Sequence, residues 1–297
     1  MLGQNLYHQK GQAIVEQLIL WPTMVLLVLG TLQMALLYKD KAVFNDAVFR
    51  AAREGSLNNA YVNVMNKKLV EALAPIYQKK GASEAAYLDA LEKAYKDNAV
   101  DPITGSVAGI VAGIRIDLIT PNRSVFDAYK SRMYELQEGC EEIIERVSRG
   151  NNRTGCARRG ETLFTQVPND NLDIRAQGDK TVVILGKSVK VNLQDANLLK
   201  INAHWCAPLV VPFGRFALYQ WQRTWSVLYA SLGGVTHPHW PVCAAKTLAN
   251  AKENEKGNVA RIMYIPVTAD AVVRMQSPIR CQGDERNGVS SRCRNLN

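Results

Sequence analysis

The sequence predicts an α+β protein, in which a long N-terminal transmembrane helix continues into a helical layer packed on an antiparallel sheet stapled by disulfides. Three observations carry this expectation. No charge interrupts the chain between Glu16 and Lys39. Two stretches of helical period give way, from Ile114 onward, to period-two apolar alternation. All six cysteines follow the apolar run, which is the usage of an oxidising compartment.

Taken in order, Ile14 to Leu37 is about 24 residues, or about 36 Å at the helical rise, enough to cross a hydrocarbon core of about 30 Å with some tilt. No small-x-small pair closes the run between Gly30 and Leu37, so the helix is expected to stay attached rather than be removed as a secretory signal. Pro22 removes the hydrogen bond to the Leu18 carbonyl and predicts a kink. Past the apolar run, Phe44, Val48, Ala51 and Ala52 share one face and Asp46, Arg50 and Arg53 the other. The helix should therefore run on to Glu54 as an amphipathic stem.

Val62, Met65, Leu69, Leu73 and Ile76 predict a helix over Tyr61 to Gln78, and Ser83 opens a second one ending near Asn98. Ile114, Ile116 and Leu118, alternating with Arg115 and Asp117, predict a half-buried strand. Ser124 is expected to cap a helix reaching Ser148. Thr181 to Leu185 and Ser188 to Val191 read as a hairpin across Gly186-Lys187. Leu198 to Val211 and Ile262 to Met275 read as long strands, each with a proline at an edge or bend. Phe213 to Leu232 is aromatic-rich but broken by Arg215 and Arg223, which favours a packed amphipathic helix whose tryptophans could also dock another subunit.

With 21% charged and 47% apolar residues the chain is expected to fold. Lys and Arg total 36 against 27 Asp and Glu, a net charge of +9, which favours an anionic surface ligand. The basic stretch Arg146, Arg149, Arg153, Arg158 and Arg159 lacks interleaved aromatics for stacking bases, so nucleic acid is not favoured as a partner. The even cysteine set Cys140, Cys156, Cys206, Cys243, Cys281 and Cys293 predicts three disulfides, with pairing of sequence neighbours the simplest arrangement. His237, His239 and His204, near Cys243 and Cys206, form the one cluster with metal-ligand chemistry. A proline-rich loop is the preferred reading there, and no metal is expected. No nucleophile elbow, phosphate-binding glycine loop or dinucleotide fingerprint occurs, so no catalytic residue, cofactor or enzyme activity is expected.

Glu16 is the residue that demands an explanation. A carboxylate at the mouth of a lipid-spanning helix is costly unless a cation neutralises it, although one so near the end of the run can also snorkel to the headgroups.

The string Gly11-Gln12-Ala13-Ile14-Val15-Glu16, then Trp21-Pro22, Gly30 and Arg50-Ala51-Ala52-Arg53-Glu54-Gly55, resembles the TadE and TadG-like pseudopilins, minor pilins of tight-adherence (Flp) pilus systems within the type IV pilin superfamily. Weaker echoes are Ala196 to Ile201, Pro208 to Pro212, Ile265-Pro266-Val267 and Arg274 to Pro278; Gln17 departs from the aromatic that often follows the glutamate. The resemblance implies a prepilin-type leader at 1–11, an N-terminal helix at 12–54 spanning the membrane at about 14–37, and an exported α+β domain at 55–297. It implies cleavage between Gly11 and Gln12 by a prepilin peptidase, with Glu16 neutralising the freed amine of a neighbouring subunit. The implied partners are that peptidase, other pilins or pseudopilins, and the pilus assembly platform. The implied location is a single pass through the bacterial inner membrane, with a periplasmic C-terminal domain that could enter a surface pilus. Lys39 and Lys41 run against this orientation by the positive-inside rule, whereas the cysteines and the leader favour it. Two alternatives are a minor pseudopilin of a type II secretion system and a membrane-anchored periplasmic binding protein or enzyme using the basic loop or the histidines.

Overall fold

Helix α1 (Gln9–Leu57) opens the computed structural model, which describes residues 9–78, 83–109, 112–136, 144–145, 158–169, 178–211, 219–225, 237–253 and 262–280. The helix runs without a break across Pro22. Thr23 and Thr31 each turn their hydroxyl back on a carbonyl one turn earlier, Leu20 and Val28, at 2.8 Å. A side chain that satisfies itself locally in this way needs no water.

The chain divides into two compact units, one of residues 1–42 with 205–267 and one of residues 43–204 with 268–297. In the second unit the last turns of α1 form the expected amphipathic stem. Phe44, Ala47, Val48, Ala51 and Ala52 are fully buried, while Asp46 and Arg50 pair at 2.8 Å on the exposed side. Helices α2 (Val62–Tyr77) and α3 (Glu84–Asn98) follow near their expected bounds. Ser83 caps α3 by accepting from the Ala86 N–H, satisfying one of the unpaired donors of the first turn. A Cβ at Gly55 would fall 2.4 Å from Met65 Sδ and 3.3 Å from Leu199 Cδ2, so this glycine lets α1 approach α2 and the sheet closely.

Strand β1 (Ile114–Thr120) alternates as its sequence predicts, with Ile114, Ile116 and Leu118 buried and Arg115 exposed. It joins β7 (Leu198–Leu209) and β8 (Met263–Arg274) in the order β1-β7-β8. The Met275 N–H donates to the Asn197 carbonyl at 2.8 Å, and Asn202 Nδ2 donates to Asp270 Oδ1 at 2.7 Å. Partners that descend on one strand as they rise on the other mark an antiparallel pair. Helix α2 packs on β1, giving the predicted helical layer over a sheet.

The structure corrects the long helix expected from Ser124 to Ser148. Helix α4 spans only Arg123–Tyr129, capped by Asn122, whose Oδ1 accepts from the Val125 N–H at 3.0 Å. Ser124 does not cap. Its hydroxyl accepts from the Val183 N–H at 3.1 Å and ties α4 to the hairpin. After Lys130 the chain turns to period two, and β2 (Ser131–Leu136) pairs antiparallel with β3 (Ile144–Glu145) and β4 (Arg158–Val167). With β9 (Ile279–Arg280) these form a sheet in the order β3-β2-β4-β9. Local helical period lost here to strand pairing across 22 to 35 positions, which no local pattern announces.

The hairpin forms as β5 (Lys180–Ile184) and β6 (Lys187–Val191), with Ile184 opposite Lys187, its turn one residue earlier than expected. Its turn residues Leu185 and Gly186 have φ of 49° and 76°, the two positive values of a type I′ turn. Helix α5 (Leu193–Ala196) then leads into β7. In the first unit, α6 (219–225) and α7 (Trp240–Glu253) precede β8.

Candidate functional site

Candidate functional residues occur in three places, beginning with α1. Leu18, Trp21, Met24, Leu27, Val28 and Leu32 are all exposed, and Trp21 is 68% exposed. A helix that exposes this many apolar side chains is stable in lipid rather than water. The segment is long and apolar enough to cross a membrane, so α1 is a candidate membrane anchor. Its first described residues are Gln9, Lys10, Gly11 and Gln12. Glu16 is exposed.

Gln33 was not singled out by its sequence, although it is a lone amide in an uncharged run. It is 1% exposed, and its Oε1 accepts from the Val211 backbone N–H at 2.8 Å. A polar side chain on a lipid-facing helix needs such a partner.

The second place surrounds a disulfide. Cys206 on β7 and Cys243 on α7 are bonded, as sequence-neighbour pairing expects. Both are fully buried with Tyr264, and Val242 packs against them. Thr247 Oγ1 donates to the Cys243 carbonyl at 2.9 Å and accepts from the Tyr264 N–H at 3.1 Å, stitching α7 to β8. The Lys246 ammonium lies 4.4 Å from the Tyr264 ring centre, a cation–π contact that offsets the burial of its charge. Buried His239 comes within 4.8 Å of both sulfurs. With the two sulfurs spent on each other, neither is the thiolate a metal would need. Cys140, Cys156, Cys281 and Cys293 lie outside the described residues, as do Arg146, Arg149 and Arg153.

The third place belongs to the other unit. His204 Nε2 lies 3.2 Å from Asp117 Oδ2, and Arg115 Nε donates to Asp117 Oδ1 at 2.8 Å. Burial raises the Asp117 carboxyl, but the hydrogen bonds from His204 and Arg115 outweigh it and leave the group below its ordinary value. His204 is thus committed to a carboxylate across the sheet. Sequence proximity to Cys206 suggests the metal-type cluster, but the partner of a strand residue is chosen by the neighbouring strand, here Asp117 of β1.

The segment Phe213 to Leu232 is described only over α6. There Trp221 and Trp225 are 65% and 47% exposed, with ring centres 5.6 Å apart. Tyr219 contacts Trp240 of α7 at 5.7 Å. One turn apart, the two tryptophans share a face directed outward.

No curated protein and no solved structure matches the chain. Residues 11–53 match the model of the family described as TadE-like protein. The match begins at Gly11, takes in Gln12, Glu16, Pro22 and Gln33, and ends on the stem of α1. Over this N-terminal segment the chain is similar to the TadE-like family.

Proposed function

We propose that the chain is a structural component of a Tad (Flp) pilus, a minor pilin or pseudopilin cut between Gly11 and Gln12 by a prepilin peptidase. The observation that carries this reading is the family match over residues 11–53, which falls on a helix whose described apolar residues are mostly exposed.

The chemistry follows from the residues. Cleavage after Gly11 creates an α-ammonium at Gln12, four residues from Glu16. Within one helix that amine and Glu16 sit about one turn apart; between neighbouring helices, shifted in register, the same two charges can neutralise each other in lipid. The exported part then presents its disulfide-bonded fold in the periplasm, alongside other pilins and the assembly platform.

Co-expression with a prepilin peptidase, followed by N-terminal sequencing of the membrane-extracted protein, tests the reading. A mature chain beginning at Gln12, abolished by Gly11→Trp, is expected. An intact Met1, or a cut beyond Leu37, overturns it.

A further inference from the structure

Gln33 fixes where the bilayer can end. Its bond to the Val211 N–H brings the strand exit of the first unit against α1 at that level, four residues before the apolar run stops at Leu37. Extended backbone cannot lie in hydrocarbon without partners, so the lipid core must stop near Gln33. A core of about 30 Å then reaches back about 20 residues along α1, to about Ala13. On this placement Glu16 lies inside the hydrocarbon rather than at its mouth.

The same unit carries exposed apolar groups. Val210, next to the bonded Val211, is 66% exposed, and Trp221 and Trp225 of α6 are turned outward. Helix α6 is held to α7 by the Tyr219–Trp240 contact, and α7 is held to β7 by Cys206–Cys243. Strand β7 leads directly to Val210 and Val211. The pair is therefore tied, within one unit, to the backbone that meets α1 at Gln33. Tyr38 and Lys39, just beyond Gln33 on α1, are exposed too. Exposed tryptophan, tyrosine and lysine around the exit of an apolar helix is the composition of a membrane–water interface, where an indole buries its ring and keeps its N–H wet.

We propose that Trp221 and Trp225 insert into the headgroup boundary of the bilayer and seat the first unit on the membrane at the level of Gln33. The occupant of this aromatic face is lipid. The inference rests on the reading of α1 as a spanning helix, and it adds a second, peripheral attachment that sets the depth and tilt of the anchor.

The test uses the full chain, reconstituted in phosphatidylcholine and phosphatidylglycerol vesicles that carry bromine either just below the glycerol or near the acyl chain end. The chain has five tryptophans. The fluorescence difference between wild type and Trp221→Phe/Trp225→Phe isolates the pair. Trp21, about 18 Å along α1 from Gln33 and so near the bilayer midplane, reports separately on spanning. The difference signal is expected to fall about twofold with shallow bromine and little with deep bromine, while the double variant shows deep quenching of Trp21. A difference signal untouched by bromine, with Trp21 quenched, overturns the proposal alone. The same holds if the signal changes only as the protein-to-lipid ratio rises, which marks a second copy as the occupant. An unquenched Trp21 overturns the spanning reading and the proposal with it. Phenylalanine retains a ring at these exposed sites, and each single variant, Trp221→Phe or Trp225→Phe, should remove about half of the difference, which checks that the fold is intact.

Discussion

His204 Nε2 stands 3.2 Å from Asp117 Oδ2, joining β7 to β1 through a carboxylate that Arg115 also holds at 2.8 Å. A carboxyl kept below its ordinary value of 3.8 stabilises the folded chain. The contribution is fully present above the unfolded value of 3.8 and is lost as pH falls through the lower, folded value. Wild type is thus expected to exceed Asp117→Asn in urea midpoint at neutral pH, with the two converging as pH falls through the lower, folded value. Because Asp117 is partly open to solvent, the gap should also narrow in high salt. A gap that persists unchanged under acid would mean that Asp117 acts through packing instead.

Gly105 is fixed by a close approach as well as by conformation. Its φ is +67°, and a Cβ there would fall 2.0 Å from the Asn63 carbonyl oxygen, which is backbone and cannot step aside. Gly186 in the hairpin turn has a similar φ of +76° but open space around it. The left-handed conformation alone costs a non-glycine residue about 1–2 kcal/mol. Gly186→Ala should therefore lose about 1 kcal/mol, and Gly105→Ala at least about 3 kcal/mol with a displaced α2 start, both read from denaturant unfolding. Equal losses would show that the Asn63 backbone yields.

The contrast between these elements shows what the sequence makes legible. The amphipathic stem of α1, helices α2 and α3, strand β1 and the β5–β6 hairpin were all readable, because each is decided by residues within a few positions of one another. Helix α4 was overextended because the pairing of β2 with β4 is decided by residues far along the chain. The segment around Gly11 and Glu16 was legible because a charge beside an apolar run is conspicuous. Gln33 and His204 were not, since an amide or imidazole is explained only by the partner that folding brings to it: the Val211 N–H in one case, Asp117 in the other.

The Cys206–Cys243 bond closes a loop of 37 residues in sequence. The chain-entropy account assigns such a loop about 4 kcal/mol, and measured losses on removing native disulfides run at about 2–5 kcal/mol. Cys206→Ala/Cys243→Ala should lower the unfolding free energy by about 2–4 kcal/mol, and wild type in reductant should approach the variant. Because both sulfurs are fully buried, reduction of the native protein should follow local opening and be slow without denaturant. Free thiols that appear at once on adding reductant to folded protein would contradict this arrangement.

Glu16 is the site where the assembly reading is most exposed to test. Glutamine keeps the size and hydrogen-bonding capacity of the side chain but removes its charge, so Glu16→Gln spares insertion and, if anything, eases it. Cleavage at Gly11–Gln12 does not use this carboxylate as a reacting group, so the mature chain should still begin at Gln12. What should fail is the neutralisation of a neighbour's α-ammonium in lipid, where an unpaired charge costs several kcal/mol. Incorporation into sheared surface fibres, quantified against the membrane-bound pool, is expected to fall at least about tenfold, equivalent to about 1.4 kcal/mol per subunit contact. Glu16→Asp, which restores the charge on a shorter stem, should recover part of it. Fibre content equal to wild type in Glu16→Gln, with processing normal, would remove the charge pair as the force that brings the helices together.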